Sequence, residues 1–139
     1  MSRRLRDFII DDEGAVTLWS PIGHLTGLQV LDLGENLIGD RALKQFGPYL
    51  ARLLCLHTLN LSEQGEMDTI SDAEDVSELT MAGALALVPT LCNLPCLKVL
   101  DLSNNYLMRA AYEADPNGDL EDYDLELIRR LPSVDVDIF

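Results

Sequence analysis

The sequence predicts an α/β solenoid in which short parallel strands line a concave face and helices cover the convex one. Three observations lead there. A nine-residue phrase occurs three times, as L-Q-V-L-D-L-G-E-N at 28–36, L-H-T-L-N-L-S-E-Q at 56–64 and L-K-V-L-D-L-S-N-N at 97–105. In each copy the second and third leucines flank Asp32, Asn60 or Asp101, the period of two that a half-buried strand demands. The first two copies start 28 residues apart, which leaves room for a helix between successive strands. Units of this size bury their leucines only against one another, so one continuous core is expected.

The elements follow in order. A degenerate first unit spans 5–27, with Leu5, Phe8 and Ile10 at the three leucine positions. The first clear repeat starts at 28. In it Asn36-Leu37-Ile38-Gly39-Asp40 turns the chain, Asp40 is placed to cap a helix, and Ala42, Leu43, Phe46, Leu50 and Leu53 follow at helical spacing. The second repeat starts at 56 and the third at 97, an interval of 41 residues. Its end realigns with the first helix, 84–91 over 43–50, with Pro48 and Pro89 in register. The added length therefore lies in an acidic insertion at 65–78, carrying Glu66, Asp68, Asp72, Glu74, Asp75 and Glu78. Within it Ser71-Asp72-Ala73-Glu74 would suit an acid-directed kinase, but reads more simply as a helix capping box. A second acidic insertion occupies 113–124, and the chain finishes in a period-two strand at 134–139. Asp135 and Asp137 would discourage another chain from adding to that strand. Asn36, Gln64 and Asn105 close the three phrases, and each is expected to hydrogen-bond backbone within its own turn. The whole, 1–139, reads as one domain, and its sparse terminal cap fits a piece of a longer array.

The 28-residue period, the I-G-D-R-A helix start at 38–42 and the L-x-x-L-x-x-L run leading into each strand can be matched to a family. They resemble the ribonuclease-inhibitor-like class of leucine-rich repeat, over roughly 5–139. The resemblance implies a protein-binding scaffold and names no partner, because fold does not carry function with it. A GTPase-activating relative of the same class is disfavoured, five repeats being too few.

Composition narrows the function classes. The chain has 139 residues, 47% of them hydrophobic, a net charge of −14 and an isoelectric point near 4.2. Such a surface repels the phosphates of nucleic acids and of anionic membranes, so neither partner is expected. A protein partner with a basic surface fits better, and a place within a larger complex is compatible with it. No apolar run approaches a membrane span, and Phe8-Ile9-Ile10 behind the basic start is too short for a signal-peptide core. Cys55, Cys92 and Cys96 lack zinc-ligand spacing and read as small semi-buried structural residues. Free thiols indicate a reducing compartment: the cytosol, the nucleus or the intracellular skeleton.

No catalytic constellation appears and no cofactor is implied, so the chain is expected not to be an enzyme. His24 and His57 have no nucleophile or ligand set nearby, and the carboxylates stand in runs rather than as an opposed pair in an apolar pocket. One metal-like spacing exists. Asp115, Asn117, Asp119 and Glu126 fall at positions 1, 3, 5 and 12 of a calcium loop, but Leu120 stands where the loop needs glycine. The simpler reading is a Pro-Asn-Gly turn in a solvated acidic insertion, with a calcium-responsive regulatory module as the alternative. The favoured function is an interaction module or scaffold subunit of an intracellular assembly. Its expected contact residues are the outward ladder of the concave face: Asp7 and Ile9, then Val30, Asp32 and Glu35, then Thr58, Asn60 and Glu63, then Val99, Asp101 and Asn104. One column is expected to run Ile9, Asp32, Asn60, Asp101, and the competing reading is a merely solvated sheet face.

Overall fold

Strand formation is minimal, because each phrase commits only three residues to the sheet: its second leucine and the two that flank it. The computed structural model describes residues 1–64, 79–105, 107 and 129–138. Among these, β1 (Ser2–Arg4), β2 (Val30–Asp32), β3 (Thr58–Asn60), β4 (Val99–Asp101) and β5 (Asp135–Asp137) form one parallel sheet, ordered as in the sequence. Helices α1 (Asp12–Gly23), α2 (Asp40–Leu50) and α3 (Met81–Leu91) follow β1, β2 and β3. The acidic insertions at 65–78 and 113–124 lie outside the described residues.

The repeated phrases pair without slippage. Leu31, Leu59 and Leu100 lie abreast and buried, while Val30, Thr58 and Val99 and then Asp32, Asn60 and Asp101 form half-buried columns beside them. Pairing outlasts the strands themselves. The Leu33 N–H donates to Asn60 O (2.8 Å), Leu61 to Asp101 O (2.8 Å), Glu35 to Ser62 O (2.9 Å) and Glu63 to Ser103 O (3.0 Å). The chain thus leaves the sheet through a turn that copies its neighbour, and Glu35, Glu63 and Asn104 share a left-handed φ of 56, 58 and 56°.

The first strand lies elsewhere than expected. Arg3 pairs with Leu31 and Arg4 with Asp32, and Leu5, whose N–H donates to Asp32 O (2.7 Å), takes the place of Leu33 rather than of Leu28. The 28-residue spacing is therefore kept, with the unit's strand at Ser2–Arg4 ahead of residue 5. Arg3 is tolerated at a leucine position because it sits exposed at the end of the strand order. Phe8, read as a core residue from its spacing, is instead exposed in the turn. At the other end β5 pairs Val136 with Leu100, and Val134 packs on the core just before it.

Strands and helices share one apolar core. Ala42, Leu43, Phe46, Leu50 and Leu53 are all fully buried, as their helical spacing requires. Trp19 of α1 stacks on Phe46 of α2, with ring centroids 4.0 Å apart, and its indole N–H donates to Ala42 O (2.9 Å). The helix starts are also tied to each other. Asp40 does not cap its own helix, since Gly39 is the N-cap. Its carboxylate instead accepts from the Thr80 N–H (2.7 Å) and hydroxyl (2.5 Å) at the N-cap of α3. Asp12 repeats the device one unit earlier, accepting from the Gly39 N–H (2.7 Å). A Cβ at Gly83 would lie 2.1 Å from the Asp40 carboxylate, so only glycine lets α3 come this close.

The amides that close each phrase reach further than their own turns. Asn36 donates to Leu33 O (2.9 Å), and also across to Leu5 O (2.8 Å), while its Oδ1 accepts from the N–H groups of Phe8 and Ile10 (both 3.0 Å). Gln64 donates to Leu33 O (2.7 Å) and accepts from the Ile38 N–H (2.9 Å). Asn105 donates to Leu61 O (2.8 Å) and Leu102 O (2.9 Å) and accepts from the Gln64 N–H (2.7 Å). Each amide supplies donors and an acceptor at once, which is why a carboxylate or hydroxyl would not serve equally.

Candidate functional site

The face of the sheet turned away from the helices is the candidate site, and its columns follow from the strand register. One column runs Ser2, Val30, Thr58, Val99, Asp135, and the next Arg4, Asp32, Asn60, Asp101, Asp137. At the turn beyond them lie Asp7, Glu35, Glu63 and Asn104, all with left-handed φ between 56 and 58°. Ten of the eleven expected contact residues are therefore brought onto this surface. Ile9 is the exception. It stands in the turn after β1, and Arg4 occupies the place beside Asp32 that was expected of it.

Hydrogen bonding separates these residues into two kinds. Asp32 accepts from the Gly34 N–H (3.0 Å), Asn60 from the Ser62 N–H (2.9 Å) and Asp101 from the Ser103 N–H (2.9 Å) and hydroxyl (2.6 Å). Each side chain folds back on backbone two residues ahead, an Asx turn that ends its strand. Their recurrence is thus explained by the turn itself. Val30, Thr58, Val99, Glu63 and Asn104 present side chains to solvent without that backbone task.

Charge on this face is also less uniform than the bulk value implies. Arg6 reaches over Gly34 to pair with Glu35 (2.9 Å) and Asp32 (3.3 Å). The Glu35 hydrogen bond, opposed by desolvation and supported by attraction to Asp32 and Glu35, raises the guanidinium above its ordinary value. The β1 end of the face is therefore basic or neutralised, and the acidic character is carried towards β5 by Glu63, Asp101, Asp135 and Asp137. Ser2, Arg4, Arg6, Asp135 and Asp137 were absent from the expected ladder. Matching Leu5 to Leu33 at the 28-residue period would have found the first three.

Among the described residues no group of three His, Cys, Asp or Glu is placed to hold a metal ion. Asp115, Asn117, Asp119 and Glu126 lie outside the described residues. His24 Nδ1 lies 2.7 Å from Ser20 O at the end of α1, and His57 Nδ1 lies 2.9 Å from the Thr58 hydroxyl. An open groove of about 360 Å³ beside the end of α3 is lined by Leu91, Cys92, Leu97, Lys98, Arg130 and Leu131 among others, with no carboxylate or histidine. All three cysteines are free and exposed, not semi-buried: Cys55 and Cys96 stand at the position before a phrase's first leucine, which points out of the core, and Cys92 stands at the C-cap of α3. No helix of the described residues is long and apolar enough to cross a membrane.

No family model and no curated protein sequence matches this chain. Among solved structures, leiomodin-1 actin-binding site 2 is similar, with a TM-score of 0.70 over 99% of this chain and 69% of that one at 14% sequence identity. At that identity the likeness extends to the fold: a small α/β architecture built on a parallel sheet.

Proposed function

We propose that this chain is a leucine-rich repeat solenoid of the ribonuclease-inhibitor-like class, working as a protein-interaction module or scaffold subunit of an intracellular assembly. The observation that carries this reading is the open sheet face, where two valines and a threonine, Val30, Thr58 and Val99, form a half-buried row edged by Glu63 and Asn104. A broad, shallow surface of this kind suits another protein better than a small molecule, which needs a concave apolar pocket. The module acts by binding rather than catalysis, and the acidic β3–β5 side favours a partner with a basic surface. Three exposed free thiols favour a reducing, intracellular setting.

The likeness to an actin-binding site makes actin the first partner to test. Equilibrium co-sedimentation of the full chain with actin filaments should show saturable binding that weakens as salt rises. The double substitution Thr58→Lys/Val99→Lys, at half-buried surface positions, should abolish it while leaving circular dichroism unchanged. Unaltered affinity in that variant would move the contact off the sheet face. Absence of binding by the wild type would remove actin as the partner.

A further inference from the structure

Charge is sorted by edge in this fold. The turns and helix starts that follow the strands are rich in carboxylates, among them Asp7, Asp11, Glu35, Asp40 and Glu63. The segments that lead into β2, β3, β4 and β5, residues 24–29, 51–57, 92–98 and 129–134, hold none of the 24 Asp and Glu residues. They hold four of the ten Lys and Arg residues, Arg52, Lys98, Arg129 and Arg130, each exposed. On a chain of net charge −14, this one edge is positive.

Helix capping does not account for the pattern. A cation offsets the helix dipole within the last turn, yet the last turns of α1, α2 and α3 carry no basic residue. Backbone bonds stack the segments directly on one another. The His57 N–H donates to Gln29 O (2.7 Å), and the Lys98 N–H to His57 O (2.9 Å). The positive side chains therefore stand along one continuous edge.

The groove of about 360 Å³ beside α3 opens on that edge. Leu91, Leu94, Leu97 and Leu131 supply apolar walls, and Lys98 and Arg130 line it beside them. The Cys92 thiol donates to Arg130 O (3.1 Å), joining the end of α3 to the last segment across the groove. Asp135 is the next carboxylate along the chain, but it shares the sheet-face column of Val99. The period of two turns it away from Lys98 and Val134, and it does not line the groove. Ligand cavities run from about 300 to 1,000 Å³, so a space at the small end has room for an apolar side chain or two.

We propose that this groove and the positive edge around it form a second docking surface, distinct from the sheet face, for an acidic segment of a partner protein. An apolar side chain of the segment fills the groove, and its carboxylates meet Lys98, Arg130 and, one unit along, Arg52. The acidity of the rest of the molecule does not forbid this. Helices α2 and α3 have 11 residues each, which sets the carboxylate-rich helix starts about 16 Å away. At physiological ionic strength that is about two screening lengths of about 8 Å. An extended polyanion or a membrane would meet the acidic surface as well, whereas a short segment stays on the positive edge.

Fluorescence anisotropy tests this at physiological salt, with the full chain and a labelled synthetic peptide of glutamates and aspartates around a central Leu-Phe pair. Saturable binding is expected, weakening as salt rises further and falling at least about tenfold when the pair is replaced by Ser-Ser. Lys98→Glu should abolish binding, and Lys98→Gln, which removes the charge without reversing it, should weaken it. Alkylation locates the contact. Bound peptide should slow iodoacetamide at Cys92, which lines the groove, and leave the rate at Cys55, outside it, unchanged. No saturable binding by wild type overturns the proposal, as does binding indifferent to the central pair or to Lys98, or protection that falls equally on Cys55. Sedimentation of the chain alone tests a second copy as the occupant. Association that grows with concentration and is lost in Lys98→Glu would give the groove to that copy and overturn the acidic-segment assignment.

Discussion

Asn36→Ala is expected to be among the most damaging single substitutions at a polar residue of the described structure. The carboxamide contacts two successive turns, and truncation affects their backbone groups unequally. Leu33 O keeps the Gln64 side-chain N–H at 2.7 Å, and Gly34 O keeps the Asp7 N–H at 3.2 Å. Leu5 O, Phe8 N–H and Ile10 N–H lose the partner that Asn36 gives them. Leaving a buried polar group unpaired costs about 1–3 kcal/mol. These three bonds are part-buried, which places each group near the low end, so the total is about 3 kcal/mol. For a chain of this length that corresponds to a thermal midpoint lower by roughly 10 °C. Urea or thermal denaturation followed by circular dichroism measures the loss, and amide hydrogen exchange locates it. Protection should fall at Phe8 and Ile10 while the Leu33 and Leu61 amides, bonded to Asn60 O and Asp101 O, keep theirs. A loss below about 0.5 kcal/mol, or unchanged exchange at Phe8 and Ile10, would refute the claim that the amide secures the preceding turn.

Gly83→Ala should destabilise by about 1–3 kcal/mol, since the new methyl collides with the Asp40 carboxylate, and Asp40→Ala in the same background should recover part of that loss. Arg6→Met should cost less than about 1 kcal/mol, because the Glu35 and Asp32 pairs are partly solvated, with the difference shrinking at high salt. The Arg6 guanidinium is shifted upward, so its contribution is fully present below its unfolded-state value and is lost only as pH rises through the folded one. Titration from pH 6 to 9 should therefore leave the Arg6 effect unchanged. Calorimetric titration with calcium should give no one-site micromolar isotherm, because Leu120 stands where the loop needs glycine. Such an isotherm, abolished by Asp115→Ala, would promote the calcium-responsive reading.

The parallel strands were legible in the sequence wherever leucine alternation and a closing amide coincide, as at 28–36, 56–64 and 97–105. The first unit defeated that reading because exposure relaxed the very residues that encode it. Arg3 replaces a leucine, Phe8 replaces an amide, and the accidental spacing of Leu5, Phe8 and Ile10 imitates the pattern five residues late. The outward columns could be listed from the period of two, but not sorted. Only coordinates reveal that Asp32, Asn60 and Asp101 are tied to their own turns, or that Arg6 lies across Asp32 and Glu35. The roles of Asp12 and Asp40 were hidden for a related reason. An acidic residue at a helix start suggests a local cap, and nothing in the linear sequence says that its partner is the next helix.

The backward reach of Asn36, Gln64 and Asn105 gives the molecule a polarity in time. Each turn is completed by a side chain that lies later in the sequence, 28 residues on from Phe8 to Asn36 and 41 from Gln64 to Asn105. As the chain emerges from the ribosome, the turn at Leu5–Ile10 must wait for Asn36, and the turn ending at Gln64 for Asn105. Every nascent length therefore carries one unfinished turn at its leading end, with carbonyl and N–H groups still seeking partners. Shortening from the C-terminal side should reopen a turn that already existed, whereas shortening from the N-terminal side removes a unit without depriving its successor of its amide. A set of nested truncations read by limited proteolysis should show that asymmetry, with cleavage appearing in the last retained turn of each C-terminally shortened chain.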